Sequence, residues 1–408
     1  RLRNHMIKFK IKIDELVWFT FHLFIFVKAF TGPLTLYLAY IRFAPIALMI
    51  LLVGYKLCIL IPKKLSYILL MVFLSIYVLI GINNNSLVSS VFSIYIFIPF
   101  LFAFLYSTEL YQRIFVNNFK FNLFYFLSCA VGILYVNQFG AEWIGAEQEI
   151  AGVTKVVSRD WISDGMMRNP GFTGTSVSSA TLVIITCTFL GYTLHEKRRF
   201  ISLLVIFAVS AYLIYLTTTK TTMVTLAFVF ILIFCSAFIT KYIVKTIFLF
   251  LTLFSYYCMF NISNVSTGML TNTMLIRMYQ TWPNAMLLLE TPLQYFFGKG
   301  FGSIGAPTYY FTPALANPAD NMYVYLYVIF GVFSILFSFF FMMKFLSFGL
   351  TLSKTTKQFL IISLVILIGG ITYNFFEASF YSVYGGVIIG MIVSEKKERD
   401  IKLNPNYQ

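Results

Sequence analysis

The chain has 408 residues, of which 59% are hydrophobic and 11% charged, with a mean hydropathy of +0.83. A water-soluble domain is about half apolar and about a quarter charged, so this composition excludes an ordinary soluble protein and predicts an all-α polytopic membrane protein. The net charge of +15 has no basic domain outside the apolar runs to reside in. It therefore predicts cytoplasmic loops beside an anionic leaflet and no nucleic-acid partner.

In chain order, Arg1 to His5 ahead of Met6 read as an expression scar, which leaves 6–408 as a single integral membrane domain. About twenty apolar residues cross a bilayer as a helix. About twelve transmembrane helices are predicted, at roughly 16–38, 43–61, 65–82, 88–107, 121–138, 174–194, 200–217, 221–239, 243–262, 321–343, 358–374 and 377–393. The first is interrupted at Gly32-Pro33, and the last two are joined by a short turn at Asn374 to Glu377. Cys58, Cys129, Cys187, Cys235 and Cys258 all fall in apolar runs without a Cys-x-x-Cys spacing, which predicts neither disulfides nor zinc.

The connecting segments sort by charge. One side carries Lys8, Lys10, Lys12, Lys56, Lys63, Lys64, Arg113, Lys120, Lys197, Arg198, Arg199, Lys241, Lys245, Lys344, Lys354, Lys357 and the tail cations Lys396, Lys397, Arg399 and Lys402. The other side carries only Arg42, Lys155, Arg159, Arg168, Lys220, Arg277 and Lys299. The bias places both termini in the cytoplasm. Two long outward loops result, at about 139–173 and 263–320, and long loops of this kind are commonly functional. A cation that persists on the poor side is not explained by topology. Arg168, Lys220 and Arg277, each beside a Gly-, Pro- or Thr-rich turn, suit a phosphate or pyrophosphate on a lipid.

Four constellations carry the candidate chemistry. Arg168-Asn-Pro-Gly171 is followed by Thr175, Ser176, Ser178 and Ser179 at the start of a span, where unpaired N–H groups can receive an anion; a turn with a helix cap reads equally well. Thr217-Thr-Thr-Lys220 sets one ammonium among hydroxyls that also suit helix ends. Arg277 lies on a stretch, Leu270 to Leu289, of amphipathic pattern interrupted by Pro283. After it comes Gly298-Lys-Gly300-Phe-Gly302, which lacks the strand–loop–helix setting and Lys-Ser/Thr ending of a nucleotide site. Asp320, at the outer mouth of a span, reads as a general base for a sugar hydroxyl or as an N-cap. Glu377 is a further carboxylate, as are Glu142, Glu147, Glu149, Asp160 and Asp164. Tyr309, Tyr310, Phe311, Trp143, Trp161 and Trp282 are aromatics of the outer loops, suited to an interfacial belt or to sugar faces.

Taken together, from Arg168 to Gly331, these segments resemble the family of bacterial O-antigen ligases and Wzy-type O-antigen and capsule polymerases. Arg168-Asn-Pro-Gly171 resembles the family's Arg-x-x-Gly segment. Leu216-Thr-Thr-Thr-Lys220-Thr-Thr resembles its Thr-x-Ser/Thr-Arg-Ser/Thr turn. Arg277 with Pro292 to Gly302 is similar to its large periplasmic loop, and Asp320-Asn321 with Gly331-Val-Phe-Ser to its His-Asn/Asp…Gly segment. Lys220 stands where the family commonly has Arg. Asp320 stands where ligases have His, which points away from a ligase and toward a polymerase.

The resemblance implies a GT-C-like fold in the bacterial inner membrane, with its active site facing the periplasm. It implies a glycosyltransferase performing metal-independent, cofactor-free, inverting transfer from an undecaprenyl-pyrophosphate-linked donor to an acceptor of the same kind. Arg168, Lys220 and Arg277 would bind pyrophosphate. Arg277 would also stabilise the leaving charge, Asp320 would be the base, and Asn321, Tyr309 and Tyr310 would contact glycan. A chain-length regulator and a flippase are the expected partners beside membrane lipids. An O-antigen ligase and a lipid-linked oligosaccharide transporter are the alternative readings.

Overall fold

A computed structural model of the protein describes residues 2–60, 65–115, 118–150, 153–163, 165–261, 273–348 and 354–394. Lys63, Lys64, Asp164 and the basic tail at Lys396 to Lys402 lie outside the described residues. Helices account for nearly all regular structure. α1 (Leu2–Ala29) and α2 (Thr31–Tyr37) lead through a 3-10 turn (Ala39–Phe43) into α3 (Ala44–Leu60), α4 (Leu65–Asn84), α5 (Leu87–Leu105), α6 (Ser107–Phe115) and α7 (Phe119–Phe139). The first long loop forms two small antiparallel hairpins, β1 (Glu147–Ile150) with β2 (Val153–Val156) and β3 (Ile162–Ser163) with β4 (Met166–Met167). α8 (Ser176–Glu196), α9 (Phe200–Leu216), α10 (Lys220–Phe234) and α11 (Ala237–Phe260) follow. The second loop holds short helices, α12 (Thr273–Ile276), α13 (Trp282–Met286), α14 (Pro292–Phe297) and α15 (Ala306–Phe311). The chain closes with α16 (Met322–Phe330), α17 (Val332–Ser347), α18 (Lys354–Thr372) and α19 (Ser379–Val393).

This is an all-α architecture of the membrane kind. Among the described residues, five helical stretches are long and apolar enough to cross a bilayer: Ala39–Leu60, α5, α7, α8 and α11. A helix apolar on every side must bury every side, in protein or in lipid. The two outcomes separate here. In α8, 83% of the apolar stretch is buried inside the protein; in the Ala39–Leu60 stretch the figure is 33%. α8 and the almost wholly buried α18 and α19 form the centre. Leu51, Leu69, Ile201, Phe250 and Phe339, from α3, α4, α9, α11 and α17, point outward, as a lipid-facing rim would.

Three of the predicted runs are interrupted; that at 221–239 stops at Phe234, and α11 starts afresh at Ala237 behind its Ser236 cap. The run at 16–38 breaks where Gly32 N–H leaves the helix ladder and donates to Phe172 O at 2.8 Å. The run at 321–343 is two helices, parted at Gly331, whose φ is +57°. A Cβ there would lie 2.3 Å from Phe296 O, so the second outer loop presses its backbone into the break.

That loop also revises the reading of two motifs. The stretch across Pro283 remains helical because Arg277 to Thr281 widen into a π turn just ahead of it. A widened turn absorbs the register change that a proline forces. Residues 270–272 of the predicted amphipathic stretch lie outside the described residues. The glycine run is a docking device: Gly298 packs on Ile329 O, Gly300 on Gly81 of α4, and Gly302 on Ser89 of α5. Lys299 between them is buried and donates to Leu288 O at 3.0 Å and Glu290 Oε1 at 2.8 Å. It is thereby removed from the set of outward cations available to a ligand.

Candidate functional site

The first long loop is pinned onto the segment that precedes α8. Arg159 N–H donates to Gly174 O at 3.1 Å, Arg168 N–H to Trp161 O at 2.7 Å, and Trp143 Nε1–H to Gly171 O at 3.0 Å. Asn169 locks the same segment to the bundle, its Nδ2 donating to Ile133 O at 2.8 Å and its Oδ1 accepting from Gly171 N–H at 2.9 Å. Gly171 (φ +56°) has no room for a Cβ beside Ile133 N. The start of α8 is closed to a ligand by its own side chains. Thr175 Oγ1 accepts from Ser178 N–H at 3.1 Å, and the hydroxyls of Thr173 and Ser179 pair at 3.0 Å. The anion-receiving helix start expected from the sequence is therefore a capped one, and the motif's contribution is the Arg168 side chain.

Tyr373 lies in the turn after α18. The charges of Arg277, Arg168 and Asp320 all act on its hydroxyl, which shares a hydrogen bond with Thr222 on the first turn of α10. The Arg277 guanidinium lies 5.7 Å from the Tyr373 ring. Its Nη1 donates to Thr372 O at 2.8 Å, at the carbonyl end of α18, where a cation is favoured. Its Nε lies 3.1 Å from Asp320 Oδ2, both side chains about one-quarter exposed. Burial works against the Arg168 charge, and the like charge of Arg277 adds to that. Arg168 Nε is buried with no hydrogen-bond partner. Arg168 and Arg159 both lie on Trp161, at 5.3 and 4.8 Å from its ring, a cation–π arrangement that orients both guanidiniums. Lys220 opens α10, exposed, two residues before Thr222. The Thr217 and Thr219 hydroxyls beside it bond one another at 2.7 Å, and Asn169 N–H meets Leu216 O at 3.4 Å. The two motifs are thus adjacent.

Asp320 is not the helix cap. Asn321 takes that role, its Oδ1 accepting from Tyr323 N–H at 2.8 Å while its Nδ2 donates to Ser255 Oγ at 3.2 Å. Asn321 is 0% exposed, so its amide serves the fold and is closed to a glycan. Ala319 (φ +59°) and Asp320 (φ +38°) lie in the left-handed region, which costs about 1 kcal/mol or more for a residue with a Cβ. Asp320 N–H folds back to Pro318 O at 2.7 Å, and the strained turn aims the carboxylate at Arg277. Burial raises the Asp320 pKa, and Arg277 and Arg159 oppose that rise.

A second carboxylate stands nearby. Glu377 Oε1 accepts from Ala306 N–H at 2.5 Å. Burial pushes its pKa up to about 7, against the pull of the Ala306 N–H and Arg159; Asp320 pushes the same way as burial, and Lys155 opposes. The Asn374 amide lies against the same Gly305 that Glu377 touches, with both polar atoms buried and unbonded. Tyr310 faces Arg159, Glu377 and Arg42. Tyr309 is 64% exposed and stacks edge-on to Tyr310.

The structure thus gathers Arg168, Arg277 and Asp320 from the sequence-derived set, with Lys220 on the adjoining turn and Tyr310 at the margin. It brings in Glu377, the further carboxylate noted in the sequence, and adds Arg159, Tyr373 and Asn374. Elsewhere, cations are spent on the fold: Lys56 on Glu109 at 2.6 Å, Arg113 on Glu15 at 2.5 Å, Lys245 on Phe348 O at 2.7 Å and Lys357 on Ile233 O at 2.7 Å. At the site, Arg277 pairs with Asp320. No family model, characterised protein or solved structure matches this chain.

Proposed function

We propose that the protein is a polysaccharide polymerase of the inner membrane. It would transfer a growing glycan from undecaprenyl pyrophosphate to a new lipid-linked repeat unit. The observation that carries this reading is that two guanidiniums, Arg168 and Arg277, act on the Tyr373 turn against one carboxylate, Asp320. A diphosphate would supply the missing negative charge. Fixed guanidiniums suit a leaving group whose charge grows as the bond breaks, since they need not reorganise.

In the proposed reaction, the acceptor hydroxyl oxygen attacks the anomeric carbon of the donor glycan. The bond from that carbon to the pyrophosphate oxygen breaks, and the electron pair leaves with undecaprenyl pyrophosphate, held by Arg168 and Arg277 with Lys220 beside them. The hydroxyl proton passes to the Asp320–Glu377 carboxylate pair. Glu377 is the better matched member, because a base with a pKa of about 7 works near neutral pH, whereas Asp320 is held by Arg277. Glu377 is a base only as the carboxylate, so activity is expected to rise as pH climbs through about 7. In Glu377→Gln that acid limb disappears and the rate falls about 100-fold or more. In Asp320→Asn the rate falls while the limb keeps its position. A limb unchanged in Glu377→Gln returns the proton to Asp320.

Deletion in the native host tests the reaction class. Loss of a polymerase leaves single repeat units on the lipid A core. Polymer stranded on undecaprenyl pyrophosphate would instead identify a ligase, and repeat units retained on the cytoplasmic leaflet a transporter.

A further inference from the structure

Lys28, Arg42 and Lys155 form a second group of cations, on which, among the described residues, Glu377 is the one carboxylate that acts, through Lys155. Arg42 sits in the turn before α3. Its Nε donates to Ala39 O at 3.0 Å and its Nη2 to Gln148 Oε1 at 2.9 Å, so its acceptors are neutral. Gln148 is held in turn by Thr35 O. In the β1–β2 hairpin, Gln148 is the direct cross-strand partner of Lys155. Residues so paired project from the same face about 5 Å apart, which brings Lys155 to the Arg42 side. The Lys155 ammonium lies 6.0 Å from the Tyr310 ring. Lys28, near the end of α1, faces both Arg42 and Lys155, and its ammonium lies 5.7 Å from the Phe24 ring. No ion pair to these three side chains is present among the described residues. Burial and the charges of Arg42 and Arg159 lower the Lys155 pKa to about 8, against the opposing pull of Glu377. Holding like charges together at half-buried positions is unfavourable unless an anion offsets them.

We propose that Lys28, Arg42 and Lys155 form a second diphosphate-binding site, distinct from the Arg168–Arg277 site, that takes the lipid-linked diphosphate of the acceptor. This rests on the polymerase reading, in which donor and acceptor each bring a lipid-linked diphosphate. Glu377 and Tyr310 interact with charged residues of both groups, Glu377 with Arg159 and Lys155 and Tyr310 with Arg159 and Arg42, where the acceptor hydroxyl must meet the donor.

The test is the stoichiometry of geranylgeranyl diphosphate binding to the purified full-length protein, read by native mass spectrometry in detergent. Two molecules per chain are expected. Arg42→Gln with Lys155→Gln is expected to leave one, with at least a tenfold loss of affinity at the affected site, and Arg168→Gln with Arg277→Gln is expected to remove the other. Lys155→Gln alone, on a hairpin face, serves as the milder variant if the double change impairs folding. Inorganic pyrophosphate is expected to compete at both sites and phosphatidylglycerol at neither. Wild-type binding in Lys155→Gln and in the double variant would overturn the proposal. So would displacement by an equal concentration of phosphatidylglycerol, which would make the cluster a phospholipid headgroup site. Two-site binding without any glycan product would leave this site standing and remove the polymerase reading; a glycan ladder with one-site binding would do the reverse.

Discussion

Arg277→Ala is expected to abolish long glycan chains while the protein still accumulates in the membrane. The side chain serves three partners from one π turn: Asp320 at 3.1 Å, the Thr372 carbonyl at 2.8 Å and the face of Tyr373. Removing one preorganised electrostatic donor from an active site costs about 100- to 1,000-fold in rate. Here the same change also strands the Asp320 carboxylate, which burial already disfavours. Arg277→Lys restores the charge without the fork. One ammonium cannot reproduce the Nε and Nη1 directions together, so partial recovery is expected, well short of wild type. Chain-length distribution on a gel, normalised to membrane protein, is the readout. Full-length chains from Arg277→Ala would remove Arg277 from the chemistry.

Gly300→Ala is expected to destabilise the folded protein severely. Gly300 sits at φ +80°, and a Cβ on it would fall 2.3 Å from Gly81 N and 2.7 Å from Gly81 Cα and Tyr77 O. All three are backbone or helix-fixed atoms, so none can move aside as a flexible side chain would. Strain at φ > 0 and overpacking against α4 together are expected to cost about 3–5 kcal/mol. Gly140→Ala is the matched control, with φ +70° but nothing within 4 Å of the new Cβ. It pays the conformational cost alone, about 1 kcal/mol. Thermal unfolding of the two variants in detergent, read by intrinsic fluorescence, separates the terms. Equal melting temperatures would mean that the loop does not dock on α4 as described.

The helical architecture was legible because long apolar runs leave little choice of conformation: over its described residues each predicted run coincides with one helix or two, and five stretches are long and apolar enough to span a bilayer. What the runs concealed was long-range. Nothing local in the Gly331 segment announces that Phe296 O needs that space. Likewise, Gly298, Gly300 and Gly302 have a spacing that imitates a phosphate loop although each answers a separate helix contact.

The site was legible through charge. Cations on the face poor in Lys and Arg were the signal, and Arg168 and Arg277 do converge on Tyr373. Arg42, Lys155 and Arg159 carried the same signal but lacked a Gly-, Pro- or Thr-rich turn beside them. Their convergence depends on the β1–β2 register and on Trp161, which a sequence does not display. Asp320 and Asn321 show the limit at single-residue level. Both residue types cap helices well, and only the backbone φ of Asp320 assigns the cap to Asn321 and turns the carboxylate to Arg277.

The central claim is that the outward cations hold a lipid diphosphate as a leaving group. Its most direct test is to incubate the purified protein with its lipid-linked repeat unit, without nucleotide or added metal, and to measure the glycan ladder together with the free undecaprenyl pyrophosphate released. A ladder accompanied by one undecaprenyl pyrophosphate per new linkage, both lost in Arg277→Ala, is the predicted result. Intact protein on authentic substrate that yields neither ladder nor released lipid would contradict it.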